Sequence, residues 1–194
     1  GIDRPIAVGA MFGDVAPEDL VRSDGAQVGD ALILTKGIAV EGTAILARDL
    51  RDRLNRHLDA ELVDRAADFL HTPGISVVRD AMTAAGAGEI HAMHDPTEGG
   101  VATGIYEMTE AAELGADIEG DALPVYAETA AICDVLGLDP LGVIASGALL
   151  MAVAPDDATA VCDALADEKI AATVIGTVRA TPGVDLHEAG GTRC

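Results

Sequence analysis

The spacing of apolar residues changes between two periods along this 194-residue chain. Ala31–Thr35 is a nearly continuous apolar run of the kind that forms a buried strand. From Glu41 onward, leucines recur every four residues at positions 46, 50, 54 and 58, which indicates an amphipathic helix. Charged residues of both signs fill the opposite face as i,i+4 pairs and would stabilise that helix. They are Arg48, Asp49, Arg51, Asp52 and Arg53.

The remaining periods predict an irregular alternation of helices and strands. Predicted strands are Ile6–Met11, Glu89–Met93, Ala116–Glu119, Ala148–Ala154, Thr173–Val178 and Val184–His187. Predicted helices are Leu62–Leu70, Val77–Ala85, Pro96–Leu114 with Gly115 as its stop, Pro124–Leu136 ended by Gly137, and Pro155–Asp167. This order predicts one α+β domain over residues 1–194, a layered α/β/α arrangement with a mixed sheet of about five or six strands.

Composition narrows the possible partners and compartment. Asp and Glu number 33 against 12 Lys and Arg, and the formal net charge of −21 is spread along the whole chain. Such a surface repels phosphate backbones and anionic lipid, so neither nucleic acid nor membrane is expected as a partner, and the charge favours adaptation to high salt. Cys133, Cys162 and Cys194 are far apart and odd in number, which indicates a reducing compartment and a cytoplasmic protein.

The stretch from His94 to Gly100 reads H-D-P-T-E-G-G and is the most informative segment. Asp95 as N-cap, Pro96 at the first helical position and Glu98 at the third would form a capping box, which needs no functional explanation. Two glycines inside a helix cost about 1 kcal/mol each relative to alanine, so substitution of Gly99 or Gly100 by alanine should stabilise it. Either a tightly packed protein element or a bound anion at the helix start would explain them.

Candidate site residues follow from the anion hypothesis. Phosphate-binding candidates are Asp95, Thr97, Gly99 and Gly100, together with Lys36, which lies in a glycine-containing turn between a strand and a helix. That turn lacks the order of a P-loop, and its alternative interpretation is a simple turn with one exposed lysine. His94 is the candidate catalytic residue, as a proton carrier near neutral pH, with a structural histidine as the alternative.

Two further chemistries are disfavoured by spacing. His91 and His94 lie three apart on a predicted strand and therefore face opposite sides, so no metal site is predicted. Ser146 lacks the flanking glycines of a nucleophile elbow, which leaves a hydrolase as a poor third hypothesis.

Four segments in order resemble the C-terminal domain of HypE-like proteins of the AIR synthase (PurM) superfamily. They are Val28–Thr35, Glu41–Leu46, His94–Ala102 and Leu136–Leu141. The resemblance implies a two-domain parent whose N-terminal domain, absent from this chain, binds ATP and Mg²⁺ through acidic residues and forms a homodimer.

 In that parent this chain would be the C-terminal domain that closes the active-site cleft. Its partner there would be the N-terminal ATP-binding domain of the same protein. The family activity that the resemblance implies is ATP-dependent dehydration of a carbamoylated C-terminal cysteine to a thiocyanate, during synthesis of the cyanide ligand of nickel-iron hydrogenases.

Two departures from the family pattern qualify this implication. HypE-like proteins carry Asn-Glu-Gly where this chain has Ala145, Ser146 and Gly147, and a serine hydroxyl does not replace a carboxylate base at neutral pH. The family ends in Pro-Arg-Ile-Cys, whereas this chain ends in G-G-T-R-C, which resembles the hairpin before that tail and argues against Cys194 as the thiocyanate carrier. A related ATP-driven dehydration or phosphoryl transfer therefore stays open, as does a non-catalytic module that docks a hydrogenase-maturation partner.

Overall fold

The computed structural model describes residues 8–193, and the side chains of residues 8–192. Seven strands lie in this part of the chain: β1 (Ala31–Thr35), β2 (Ile90–His94), β3 (Gly115–Glu119), β4 (Leu150–Val153), β5 (Ala172–Arg179), β6 (Gly183–Glu188) and β7 (Gly191–Arg193). Its α-helices are α1 (Val40–Asp49), α2 (Arg51–Leu54), α3 (Ala60–Ala67), α4 (Val78–Ala85), α5 (Gly100–Ala111), α6 (Ala127–Leu136) and α7 (Ala158–Asp167).

All seven strands form one mixed sheet, in the order β2-β4-β1-β5-β3-β6-β7. Only β3 and β6 pair in parallel, and the other five neighbouring pairs are antiparallel. The central strand β1 is buried along its whole length, as its apolar run predicts. The α+β class and the mixed sheet are thus confirmed, and the strand beyond the predicted five or six is the short β7, which closes a hairpin with β6.

Helices cover the sheet on both faces, which confirms the layered arrangement. On one face α5 packs Val101, Ile105 and Met108 over the sheet core. On the other face α4 and α7 cover β1, β2 and β4 with side chains that include Val161 and Leu165. A separate apolar cluster joins α1, α2, α3 and α6.

The helix predicted from Glu41 to Leu58 is interrupted at Leu50. Its backbone there, at φ −110° and ψ 19°, leaves the helical region, so α1 ends at Asp49 and α2 begins at Arg51. The interruption removes the i,i+4 geometry, and none of the predicted charge pairs on this face forms within residues 8–193. Arg51 pairs instead with Asp64 of α3, and the Arg48 Nε donates to the Ala67 carbonyl over 2.8 Å.

The prediction that Gly115 stops the helix before it is wrong for a tertiary reason. The helix α5 ends at Ala111, and Glu113 rather than Gly115 takes the left-handed conformation after it, with φ 57°. Gly115 is the first residue of β3, where a Cβ would collide with the carbonyl oxygens of Thr181 and Gly183. A neighbouring chain segment, not a helix end, therefore requires glycine at this position.

The predicted strand Ile6–Met11 lies partly outside the described residues, and residues 8–11 form no strand. Within residues 8–193 the longest helix has 12 residues, and none is both long and apolar enough to cross a bilayer.

Candidate functional site

The H-D-P-T-E-G-G segment forms a turn between β2 and α5 rather than the first turn of a helix. His94 is the last residue of β2, and α5 begins only at Gly100. Gly99 is the N-cap, with φ 82°, and Gly100 follows with φ 69°. The predicted capping box at Asp95, Pro96 and Glu98 is therefore wrong, because the helix starts later than propensity alone indicates.

Both glycines are required by backbone conformation, since an L-residue rarely adopts a positive φ. A Cβ at position 100 would also overlap the Leu141 carbonyl oxygen and lie 2.8 Å from that of Val143. A tightly packed protein element is thus present at Gly100. Anion binding by Asp95, Thr97, Gly99 and Gly100 stays a prediction.

The turn is joined to the segment that follows α6. The Thr97 carbonyl accepts hydrogen bonds from the backbone N–H of Gly100 at 3.1 Å and from that of Ala145 at 3.2 Å. The same segment contacts the start of α1, where the Glu41 N–H donates to the Ser146 carbonyl at 3.2 Å and the Gly42 N–H to the Ile144 carbonyl at 3.0 Å. Ser146 is therefore held between α1 and the turn, with its side chain half-buried.

Lys36 is buried, which corrects the interpretation of an exposed lysine in a simple turn. Its side chain is 8% exposed, and its Nζ lies 2.9 Å from Asp80 Oδ1. The same ammonium donates to the carbonyl oxygens of Ser76 at 2.8 Å and Gly147 at 2.9 Å. Three protein acceptors thus match its three protons. This geometry favours a structural role, and phosphate binding by Lys36 stays a prediction.

The Lys36–Asp80 ion pair belongs to a larger buried network. Thr35 donates its hydroxyl to Asp80 Oδ1 at 2.7 Å and accepts the Leu149 backbone N–H at 2.9 Å. The network therefore ties β1, α4 and the segment before β4 together. The sequence analysis did not identify Asp80 as a site residue. A signal was present, because Asp80 lies four residues before Ala84 on the predicted helix and therefore shares the face that Ala84 buries.

Charge around the turn is concentrated near Asp95. Partial loss of hydration raises the pKa of the Asp95 carboxyl above its ordinary value, even though the residue lies on the exposed side of the turn. His94 and Lys36 oppose this rise, while the carboxylates of Glu41 and Asp80 add to it. Charges at the start of α1 and in the buried ion pair therefore act on the Asp95 carboxyl.

The two histidines of β2 contact different acidic side chains. His91 Nδ1 lies 2.8 Å from Asp30 Oδ1, and His94 Nε2 lies 3.1 Å from Glu107 Oε2 on α5. His94 is about one-fifth exposed, at 22%, and is the last strand residue before the turn. Its proposed catalytic role stays a prediction.

A cleft of about 690 Å³ opens beside the buried ion pair. Lys36, Asp80, Ser76 and Tyr126 are among the residues that line it. Gly37 admits the Tyr126 ring, since a Cβ there would lie 2.6 Å from its Cε2 atom. The buried Lys36–Asp80 pair thus borders a space large enough for a small molecule, and no residue of the turn is among those that line it. Cys194, whose role the sequence left doubtful, lies outside the described residues.

A mixed sheet covered on both faces, with a glycine turn packed against the segment before β4, defines a layered α+β domain. The chain belongs to the family described as AIR synthase related protein, C-terminal domain, which matches residues 27–188.

Known relatives carry the HypE name. Carbamoyl dehydratase HypE of Rhizobium leguminosarum bv. viciae is 40% identical over 152 residues, 78% of this chain and 41% of that protein. The crystal structure of E. coli HypE matches with a TM-score of 0.72 and 27% identity, over 90% of this chain and 51% of that one. A HypE structure in complex with ATP matches with a TM-score of 0.69 and 26% identity, over 93% and 54% of the two chains. This chain spans about half the length of these relatives, or less.

Proposed function

We propose that the chain acts as the C-terminal domain of an ATP-dependent, HypE-like maturation enzyme and closes the active-site cleft of the intact protein. The observation that carries this proposal is the family match over residues 27–188 combined with the fixed geometry around Ser146 and Asp95. The reaction would be dehydration in the hydrogenase cyanide-ligand pathway, or a related ATP-driven dehydration or phosphoryl transfer.

In this proposal ATP and Mg²⁺ are bound mainly by an N-terminal domain outside this chain. The residues around the turn support that division, because the Lys36 ammonium is used by three protein acceptors and the nearby side chains of Asp95 and Glu41 are acidic. The turn would then face a nucleotide whose charge is already balanced by Mg²⁺.

The test is calorimetric titration of MgATP into this chain and into the intact longer protein. The expected result is binding by the intact protein and no measurable binding by the 194-residue chain. Tight binding by the chain alone would overturn the assignment of the nucleotide site to the other domain. The proposal also includes a homodimer of the intact protein, which light scattering would measure.

A second candidate function is a non-catalytic domain that docks a hydrogenase-maturation partner. One observation favours it: position 146 carries a serine where HypE-like proteins carry a glutamate. Substitution Asp95→Asn in the intact protein separates the two functions, because only the catalytic function predicts lost ATP turnover while the domain stays folded. Unchanged turnover would favour docking.

A further inference from the structure

Four arginines converge at the interruption between α1 and α2. Arg48, Arg51, Arg53 and Arg56 fall within nine positions of a chain that has only 12 Lys and Arg residues and a net charge of −21. Residues 48–53 and Arg56 line an open cleft of about 480 Å³. The cleft is therefore locally cationic on a protein whose surface is otherwise strongly acidic.

Helix geometry leaves these guanidinium groups largely without carboxylate partners. On a continuous helix, aspartates at positions 49 and 52 would pair with arginines four residues away. The interruption at Leu50 separates Asp49 from Arg53, and α2 ends at Leu54, before Arg56. Arg53 and Arg56 have no side-chain hydrogen bond or ion pair within residues 8–192. Arg48 donates to a neutral carbonyl, so its charge is not compensated by that bond. Of the four arginines, only Arg51 has an acidic partner among residues 8–192, and that partner is Asp64.

We propose that this arginine cluster binds a phosphate-type oxyanion carried by a small molecule. Guanidinium groups present paired N–H donors that match phosphate oxygens, and several in one concave cleft can contact one ligand together. The cluster lies at the C-terminal end of α1, whereas Glu41 and the candidate site lie at its start. Ten residues of helix separate the two ends by about 15 Å, so this is a second site.

Asp49 and Asp52 also line the cleft and oppose an anion there. Two substitutions should therefore change the affinity for a phosphate-type ligand in opposite directions. Removal of one acidic side chain should strengthen binding, and removal of an arginine should weaken it. Surface arginines without a ligand function would show neither effect.

The test is a calorimetric titration of inorganic pyrophosphate into the full 194-residue chain. A salt concentration of about 0.15 M limits the long-range repulsion between the acidic protein and the anionic probe. The double variant Arg53→Gln/Arg56→Gln should weaken binding at least about tenfold, since hydrogen bonds to charged groups are the strong ones. Asp52→Asn should strengthen binding. Arg22→Gln, which alters an exposed arginine paired with Asp24, is the matched control and should leave binding unchanged.

Three outcomes would overturn the proposal. They are no pyrophosphate binding by the unmodified chain, equal loss in the control and the double variant, and an equal or stronger response to pentaglutamate, which would assign the cleft to acidic peptides. Thermal unfolding of each variant shows whether it is folded. Both altered arginines are exposed, so the fold is expected to be retained.

Discussion

Substitution Gly100→Ala should destabilise the domain, the opposite of what helix propensity alone predicts. A left-handed backbone costs a residue with a Cβ about 1–2 kcal/mol, and overlap with a packed backbone adds about 1–3 kcal/mol. The Cβ would meet the carbonyl oxygens of Leu141 and Val143, which are backbone atoms and cannot rotate away. Against this, alanine gains at most about 1 kcal/mol of helix propensity. The free energy of unfolding should therefore fall by about 1–4 kcal/mol.

Gly99→Ala provides an internal comparison for this argument. Gly99 also has a positive φ, but its Cβ would meet the side chain of Thr103, which can change rotamer. Its cost should be smaller, about 1–2 kcal/mol. Urea unfolding of both variants measures the difference, with Gly13→Ala as the control because no atom lies within 4 Å of a Cβ at that exposed position. A stability gain for Gly100→Ala would refute the packing explanation.

Three further predictions concern charge. Lys36→Met should lower the free energy of unfolding by about 3–5 kcal/mol, because it leaves Asp80 buried without its cation, and the double variant Lys36→Met/Asp80→Leu should recover part of this loss in urea unfolding. The raised pKa of Asp95 means that its contribution favours the folded state below its unfolded pKa and is lost as pH rises through the folded value. Asp95→Asn should therefore be more stable than the unmodified chain at neutral pH, with the difference closing in acid; an unchanged difference across pH would contradict this. The melting temperature should climb steeply from low to molar KCl because salt screens a net charge of −21, and a flat scan would contradict adaptation to high salt.

Local sequence patterns predicted the elements that depend on local physics. The buried run of β1 and the end of α6 at Gly137 are both found, the latter as a left-handed C-cap. The turn at Asp139 and Pro140 is also found, with the Asp139 side chain accepting the Leu141 N–H at 3.0 Å. In each case the residues that determine the conformation are neighbours in sequence.

Predictions failed where a distant segment decides the conformation. The start of α5 is set by the segment at Leu141 and Val143. The burial of Lys36, which lies in the loop after β1, depends on Asp80 of the distant helix α4. Neither contact can be read from the spacing of apolar residues in the neighbouring sequence. For the candidate site, the sequence identified the turn at Asp95 and Gly100 but not the network that supports it.

The backbone on both sides of Ser146 is fixed independently of its side chain. The Ala145 N–H donates a hydrogen bond to the Thr97 carbonyl. The Ser146 carbonyl accepts from the Glu41 N–H, and the Gly147 carbonyl accepts from the Lys36 ammonium, so three different parts of the chain hold this tripeptide. A change of residue type at position 146 would alter the functional group presented there without moving the chain that presents it. Replacement of this one residue would therefore be enough for the same scaffold to gain or lose a carboxylate. The reaction that the site can support would change with it.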